Sequence, residues 1–278
     1  MSGHKDILVF LEGHDAVQRL AFAAVQAARW KAHLTAVFIA APMQATLDIG
    51  FAVGEAAIRS AFEHHRGLAE TAERNARAAF DALVAEHGLE AEWRYSHDEP
   101  LERILSHARH CGLAMIGFPG REGNGPASLC EDIVLASGRP TVLVPPGWPA
   151  EVSGRRILVG WNGSRESARA LSDAMPLLEA ADAVKLVLVA EERTAALLAG
   201  EEPGADIVRH LARCGVKASA EHVEKGNPGD VLLARAKEFD ADLLVMGAYG
   251  HSRITELVFG GATRSILMKA ALPVFLSR

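Results

Sequence analysis

Short, almost uninterrupted apolar runs alternate along this chain with amphipathic stretches. That is the pattern of strands buried on both faces and of the helices that cover them. The series is clearest from residue 156 onward. Arg156 to Trp161 and Val184 to Ala190 predict two strands, and the alternating run Val216 to Val223 a third. Asp242 to Met246 predicts the fourth and Leu272 to Ser277 the fifth. Leu171, Ala174, Met175 and Leu178 form an i, i+3, i+4, i+7 stripe on a helix that Ser164 is placed to cap. Pro176 is expected to kink or end that helix near Met175. A short helix is read over 205–213. Another opens at Asn227-Pro228-Gly229-Asp230, with a capping amide, a proline at the first position and an acid in the first turn, and runs to about Phe239. A last helix is read from about Ala262 to Lys269. Pro273 cannot donate to a ladder, which places the fifth strand at an edge.

The same series occurs earlier in the chain. Ile7-Leu8-Val9-Phe10-Leu11-Glu12-Gly13-His14 aligns with Ile157-Leu158-Val159-Gly160-Trp161-Asn162-Gly163-Ser164 at an offset of 150, with Arg19 opposite Arg169. Leu113-Ala114-Met115-Ile116-Gly117 aligns with Leu243-Leu244-Val245-Met246-Gly247, and Pro140 with Pro273. Residues 55–87, rich in Ala, Glu and Arg, read as one long amphipathic helix. The chain is therefore expected to be α/β: two tandem doubly wound units over 1–148 and 152–278, with Pro145-Pro146-Gly147-Trp148-Pro149 as the linker. Each unit is expected to hold a five-stranded parallel sheet of order 3-2-1-4-5, with helices on both faces and right-handed crossovers.

Composition narrows the class. Hydrophobic residues make up 49% and charged residues 23%, as in a soluble globular chain, and the net charge of −6 supplies no basic field for nucleic acid. No apolar run approaches the ~20 residues of a membrane span. MSGHKDILVF enters a strand-like run with no signal peptide. Cys111, Cys130 and Cys214 are scattered and form no C-x-x-C pair, which argues for a reducing compartment. A cytoplasmic protein is expected.

The chemistry concentrates after the fourth strand of the second unit, in LLVMGAYGHSRITELVFGGATRSIL, residues 243–267. Gly247, Gly250 and Gly260 fall between a strand and a helix start. Glycines let a backbone take positive φ and approach a ligand, and a helix N-terminus offers unpaired N–H groups to phosphate. Glycines after a strand also simply make turns. The loop lacks the Lys-Ser/Thr ending of a P-loop and the tight spacing of a dinucleotide fingerprint. Its G-x2-G-x9-G spacing, from Gly247, Gly250 and Gly260, resembles the nucleotide-binding signature of the universal stress protein family.

That resemblance implies proteins that often bind ATP or AMP, and a pairing of fifth strands between units. In a tandem chain the pairing would be internal, forming a pseudo-dimer, with a homodimer as a further expectation. Carried onto this sequence, it implies ATP, with or without magnesium, at the carboxyl ends of strands one and four. Trp161, Asn162 and Gly163 would line one side; Asn162 stands where ATP-binding members have an acid. Val189 corresponds to the adenine-contacting position, and Met246 precedes the first glycine. Gly247, Gly250, Gly260, Gly261 and Ala262 would present backbone to the phosphates. Gly261 stands where the family has Ser or Thr, and Thr263, two residues on, could supply a hydroxyl. His251, Ser252 and Arg253 lie in the loop and could meet phosphate oxygens. Each of these has a plainer alternative: Asn162 as a turn-former, Val189 and Met246 as core, the loop residues as solvated surface.

The first unit departs further. Glu12 replaces Asn162, and Gly117 and Gly120 survive, but Ala127-Ser128 stands opposite Gly260-Gly261. Alanine resists positive φ, so this half is expected to be degenerate and to serve folding and dimerisation. His107 and His110, three apart on a helix, read as a solvated face rather than metal ligands. No catalytic constellation stands out. The leading expectation is a nucleotide-dependent stress-response regulator, and the alternatives are a scaffold of the same family without nucleotide, or a slow ATPase.

Overall fold

The computed structural model describes residues 3–12, 15–40, 55–97, 99–119, 129–189, 204–249 and 261–278. The first half runs β1 (Asp6–Leu11), α1 (Ala16–Trp30), β2 (His33–Ile39), α2 (Glu55–His87), β3 (Ala91–Ser96), α3 (Leu101–Arg109), β4 (Leu113–Gly117), α4 (Leu129–Ala136) and β5 (Thr141–Val144). The second runs β6 (Arg156–Gly160), α5 (Arg165–Leu178), β7 (Ala183–Val189), α6 (Ala205–Arg213), β8 (Ala218–Val223), α7 (Pro228–Glu238), β9 (Leu243–Gly247), α8 (Gly261–Lys269) and β10 (Val274–Ser277). Among the described residues these strands form one sheet in the order β3-β2-β1-β4-β5-β10-β9-β6-β7-β8. Each half shows the expected 3-2-1-4-5 series of parallel strands.

The halves meet at β5 and β10, which pair antiparallel with Phe275 opposite Val142. The fifth strand is therefore not left as an open edge. It begins at Val274, so Pro273 stands just before the ladder, and every later residue keeps an N–H for pairing. Pro140 stands in the same place before β5. The two proline carbonyls accept from Leu244 N and Ala114 N, each at 3.0 Å. Because the seam is antiparallel, the carboxyl ends of β1 and β4 point opposite to those of β6 and β9.

Period-2 alternation sorts the strand side chains to two faces. Val9, Val159, Val245 and Phe275 pack with α1, α2 and α5 on one. Leu8, Leu158, Leu244 and Leu276 pack with α3, α4, α7 and α8 on the other. Local signals hold at two helix starts: Ser164 Oγ accepts from Ser167 N at 3.2 Å, and Asn227 Oδ1 accepts from Gly229 N at 3.1 Å. Pro176 does not end α5 at Met175, since the helix continues through it to Leu178. It falls in the last turn, and the helix closes beyond it with Glu179 N donating to Met175 O at 2.9 Å. The linker is bound down on α1, where Gly147 N donates to Gln18 Oε1 at 2.9 Å. The residues after it are held by Gln26 Nε2 donating to Ala150 O at 3.3 Å and an Arg29 Nη donating to Ser153 O at 2.9 Å.

The cysteines differ in environment. Cys111 and Cys130 are buried and Cys214 is half-buried. Burial pushes the Cys111 thiol up to about 11 and the Cys130 thiol further. The thiolate is the reactive form, so both stay inert near neutrality. At pH 8 an aromatic disulfide reagent is expected to label Cys214 quickly in the native chain, and all three cysteines only after denaturation. Rapid release of more than one equivalent from native protein would contradict this.

Candidate functional site

β6 and β9 lie side by side, with Gly160 opposite Met246, at the point where the strand order of the second half reverses. The chain leaves β6 through Trp161, Asn162 and Gly163, the first two half-buried and the third exposed. Gly163 has φ 72°, a left-handed conformation that glycine takes freely. Asn162 Oδ1 accepts from Ser164 N at 3.1 Å and from Ser164 Oγ at 2.7 Å. Its oxygen thus belongs to the turn, which the NH2 group does not share.

Gly247 carries a packing constraint that spacing does not reveal. A Cβ there would lie 2.6 Å from the carbonyl carbon of Glu166 and 2.6 Å from Ser167 N. The first turn of α5 therefore rests directly on the end of β9. Gly160 is less constrained, because a Cβ there meets the movable Leu232 methyls at 2.9 and 3.2 Å.

The helix ends at this point differ in charge. At the start of α5, Ser164 caps the backbone and the Glu166 side chain, 4% exposed, pairs with Arg165. Burial pushes the Glu166 carboxyl up, but hydrogen bonds from Arg165, its own N–H and Ser164 outweigh that and hold it below the usual range. A carboxylate in that position shuts this helix end to an anion. By contrast α8 starts at Gly261 with no acid in its first turn. The N–H groups and dipole of such a helix start favour negative charge.

Thr263, in that first turn, is buried, and its Oγ1 accepts from Tyr249 N at 3.4 Å, tying the end of β9 to α8. Tyr249 sits at φ 53°, a left-handed residue between Gly247 and Gly250. Sequence reasoning passed over it, because nothing in a tyrosine's chemistry signals positive φ. Val189 and Met246, each 5% exposed, belong to the core cluster of this face, with Tyr249 and Ala262 packed against it. Their burial fits the plainer reading of both as core. Gly250, His251, Ser252, Arg253 and Gly260 lie outside the described residues.

The first half arranges its corresponding point in another way. Arg19, 4% exposed, reaches from α1 across Gly117, so that a Cβ on that glycine would collide with the guanidinium. One Nη of Arg19 donates to the Glu12 carbonyl at 2.7 Å. Burial pushes the Glu12 carboxyl up, and the charge of Arg19 opposes this. The aligned residue in the second half, Arg169, instead turns outward to Asp173 at 2.7 Å. An arginine side chain thus takes the space that in the second half is closed by helix backbone. Gly120, Ala127 and Ser128 lie outside the described residues. His107 is not simply solvated: an Arg94 Nη lies 3.2 Å from its Nδ1, and Glu99 lies 3.6 Å from its Nε2.

Residues 154–278 match the model of the Universal stress protein family, a span that contains β6, β9 and both helix starts just described. The second half of the chain is a universal stress protein domain. A universal stress protein of Synechocystis sp. is 37% identical over 68 residues, 24% of this chain. That match spans 23%, about a quarter, of the curated relative's length. A universal stress protein from Archaeoglobus fulgidus DSM 4304 has a similar structure, with a TM-score of 0.72 over 100% of this chain and 97% of that one, at 17% identity. A functionally unknown protein from Pseudomonas aeruginosa PAO1 gives 0.62 over 99% and 92%, at 15% identity. At these identities the likeness speaks for the fold, and it extends the universal stress protein architecture to the first half. No helix among the described residues is long and apolar enough to cross a membrane.

Proposed function

We propose that the universal stress protein domain, with boundaries at 152 and 278, binds an adenine nucleotide, ATP or AMP, as a nucleotide-dependent regulator in the stress response. What supports this reading is the asymmetry of the two helix starts beside β6 and β9: α5 is capped by Ser164 and carries Glu166, while α8 has no acid in its first turn. The phosphates would sit on the α8 N-terminus and the base against Val189 and Met246, with the Asn162 amide donating to base or ribose. Among the described residues no group of three His, Cys, Asp or Glu side chains is placed to hold a metal. ATP would bind with or without magnesium. Residues 1–148 would form the partner unit of an internal pseudo-dimer across β5 and β10, in the cytoplasm.

Calorimetry of the full chain with ATP is expected to show one site. Gly260→Asp, which sets a carboxylate beside the phosphates, is expected to weaken binding at least about tenfold, or roughly 1.4 kcal/mol. Mass spectrometry of the purified protein should find co-purified nucleotide. A second reading, a scaffold that binds no nucleotide, is favoured by the commitment of Asn162 Oδ1 to its own turn. No heat with ATP, AMP or cyclic AMP would decide for the scaffold. Turnover of radiolabelled ATP that Gly260→Asp abolishes would instead establish a slow ATPase.

A further inference from the structure

The long helix α2 has 33 residues, about 50 Å at 1.5 Å per residue, while the strand beneath it, β3, has 6. From Ala76 onward the helix lies on the sheet, with Ala76 and Phe80 buried. Before that it outruns the strand, and between the overhang and the end of β3 lies a cavity of about 710 Å³. That volume is in the range of small-molecule sites, roughly 300–1,000 Å³.

Its two walls differ in chemistry. The strand wall carries Trp93 and Tyr95, which share one face of β3, and His97 just beyond its end. Their rings form a stacked series with Phe38 of β2. Phe38 lies 6.2 Å from Trp93 and 6.0 Å from Tyr95, with interplanar angles of 21° and 13°, and Tyr95 lies 6.1 Å from His97 at 22°. The helix wall carries Arg66, Glu70 and Glu73. Arg66 is paired with Glu70 at 3.0 Å, which leaves Glu73 as the carboxylate with no ion pair among the described residues. The wall therefore carries one uncompensated negative charge opposite a ladder of π faces. The protein already sets one cation on this ladder, since the Arg77 guanidinium stands 5.5 Å from the centre of the Trp93 ring.

We propose that this cavity is a binding site for a flat organic cation, stacked on Tyr95 and Trp93 and neutralised by Glu73. The ring faces supply stacking area and attract positive charge, and Glu73 supplies the counter-charge. The same carboxylate repels phosphate, so the site is separate from the nucleotide cleft of the other half and does not depend on that assignment.

The full chain is titrated with thioflavin T, an aromatic cation, by its fluorescence, and with 1-anilinonaphthalene-8-sulfonate as an aromatic anion. Saturable binding of the cation at one site per chain is expected, weakened at least about tenfold by Tyr95→Ala and by Glu73→Lys and unaffected by ATP. Tyr95 is 46% exposed and Glu73 is half-buried on a helix surface, so both variants keep the fold, which circular dichroism verifies. Absence of saturable binding, equal binding in both variants, displacement by ATP, or stronger binding of the anion would each overturn the assignment.

Discussion

Gly247→Ala is expected to lower the unfolding free energy by about 1–3 kcal/mol, the cost of forcing an added carbon into a filled site. The new methyl would meet main-chain atoms of Glu166 and Ser167 at 2.6 Å, and backbone cannot rotate aside as a side chain can. Either β9 or the first turn of α5 must shift, and both border the proposed nucleotide cleft. Chemical denaturation of wild type and variant measures the loss directly. Gly163→Ala is the control: its φ of 72° makes alanine strained, but the residue is exposed at a turn. Its cost should stay near 1 kcal/mol. Wild-type stability in Gly247→Ala together with lost ATP binding would show that this glycine serves the ligand and not the packing.

Phe275→Ala is expected to cost more, about 3–5 kcal/mol, as for other large buried aromatic truncations. Phe275 is fully buried in β10, opposite Val142 of β5 on one side and Val245 of β9 on the other. Its ring joins the core cluster that both α1 and α5 cover. The cavity therefore opens at the seam between the halves, and hydrogen exchange should show lost protection in β5 as well as in β9. Protection lost in β9 alone would mean that the seam contributes little and that the halves are stable separately.

Much of this organisation is written in local patterns. Each buried strand of the second half could be read from its apolar run because parallel strands covered on both faces tolerate few polar residues. The starts of α5 and α7 were legible because a capping side chain acts within three residues of itself. The glycine spacing after β9 points to the proposed nucleotide cleft, although Gly250 and Gly260 lie outside the described residues. Arg19 and Arg169 show where such reading stops. They align, yet one lies buried over Gly117 and the other pairs with Asp173 near the surface. Nothing within a few residues of either determines which partner an arginine finds across a sheet.

The glycines divide on the same line. Gly163 is explained by its own backbone angle, whereas the reason for Gly247 lies on a helix about eighty residues earlier in the chain. The sequence by itself determined the α/β class and the repetition of one unit, which follow from hydrophobic period and connection length, while the strand order was read from the glycine-bearing turns after strands one and four and the family resemblance. The pairing of β5 with β10 was already implied by the family resemblance; the tertiary structure alone decided that the first turn of α5 rests on Gly247, that Arg19 lies over Gly117, and that α2 overhangs an aromatic wall. Those outcomes depend on which surfaces meet in space, and contacts between residues far apart in the chain leave no periodicity to read.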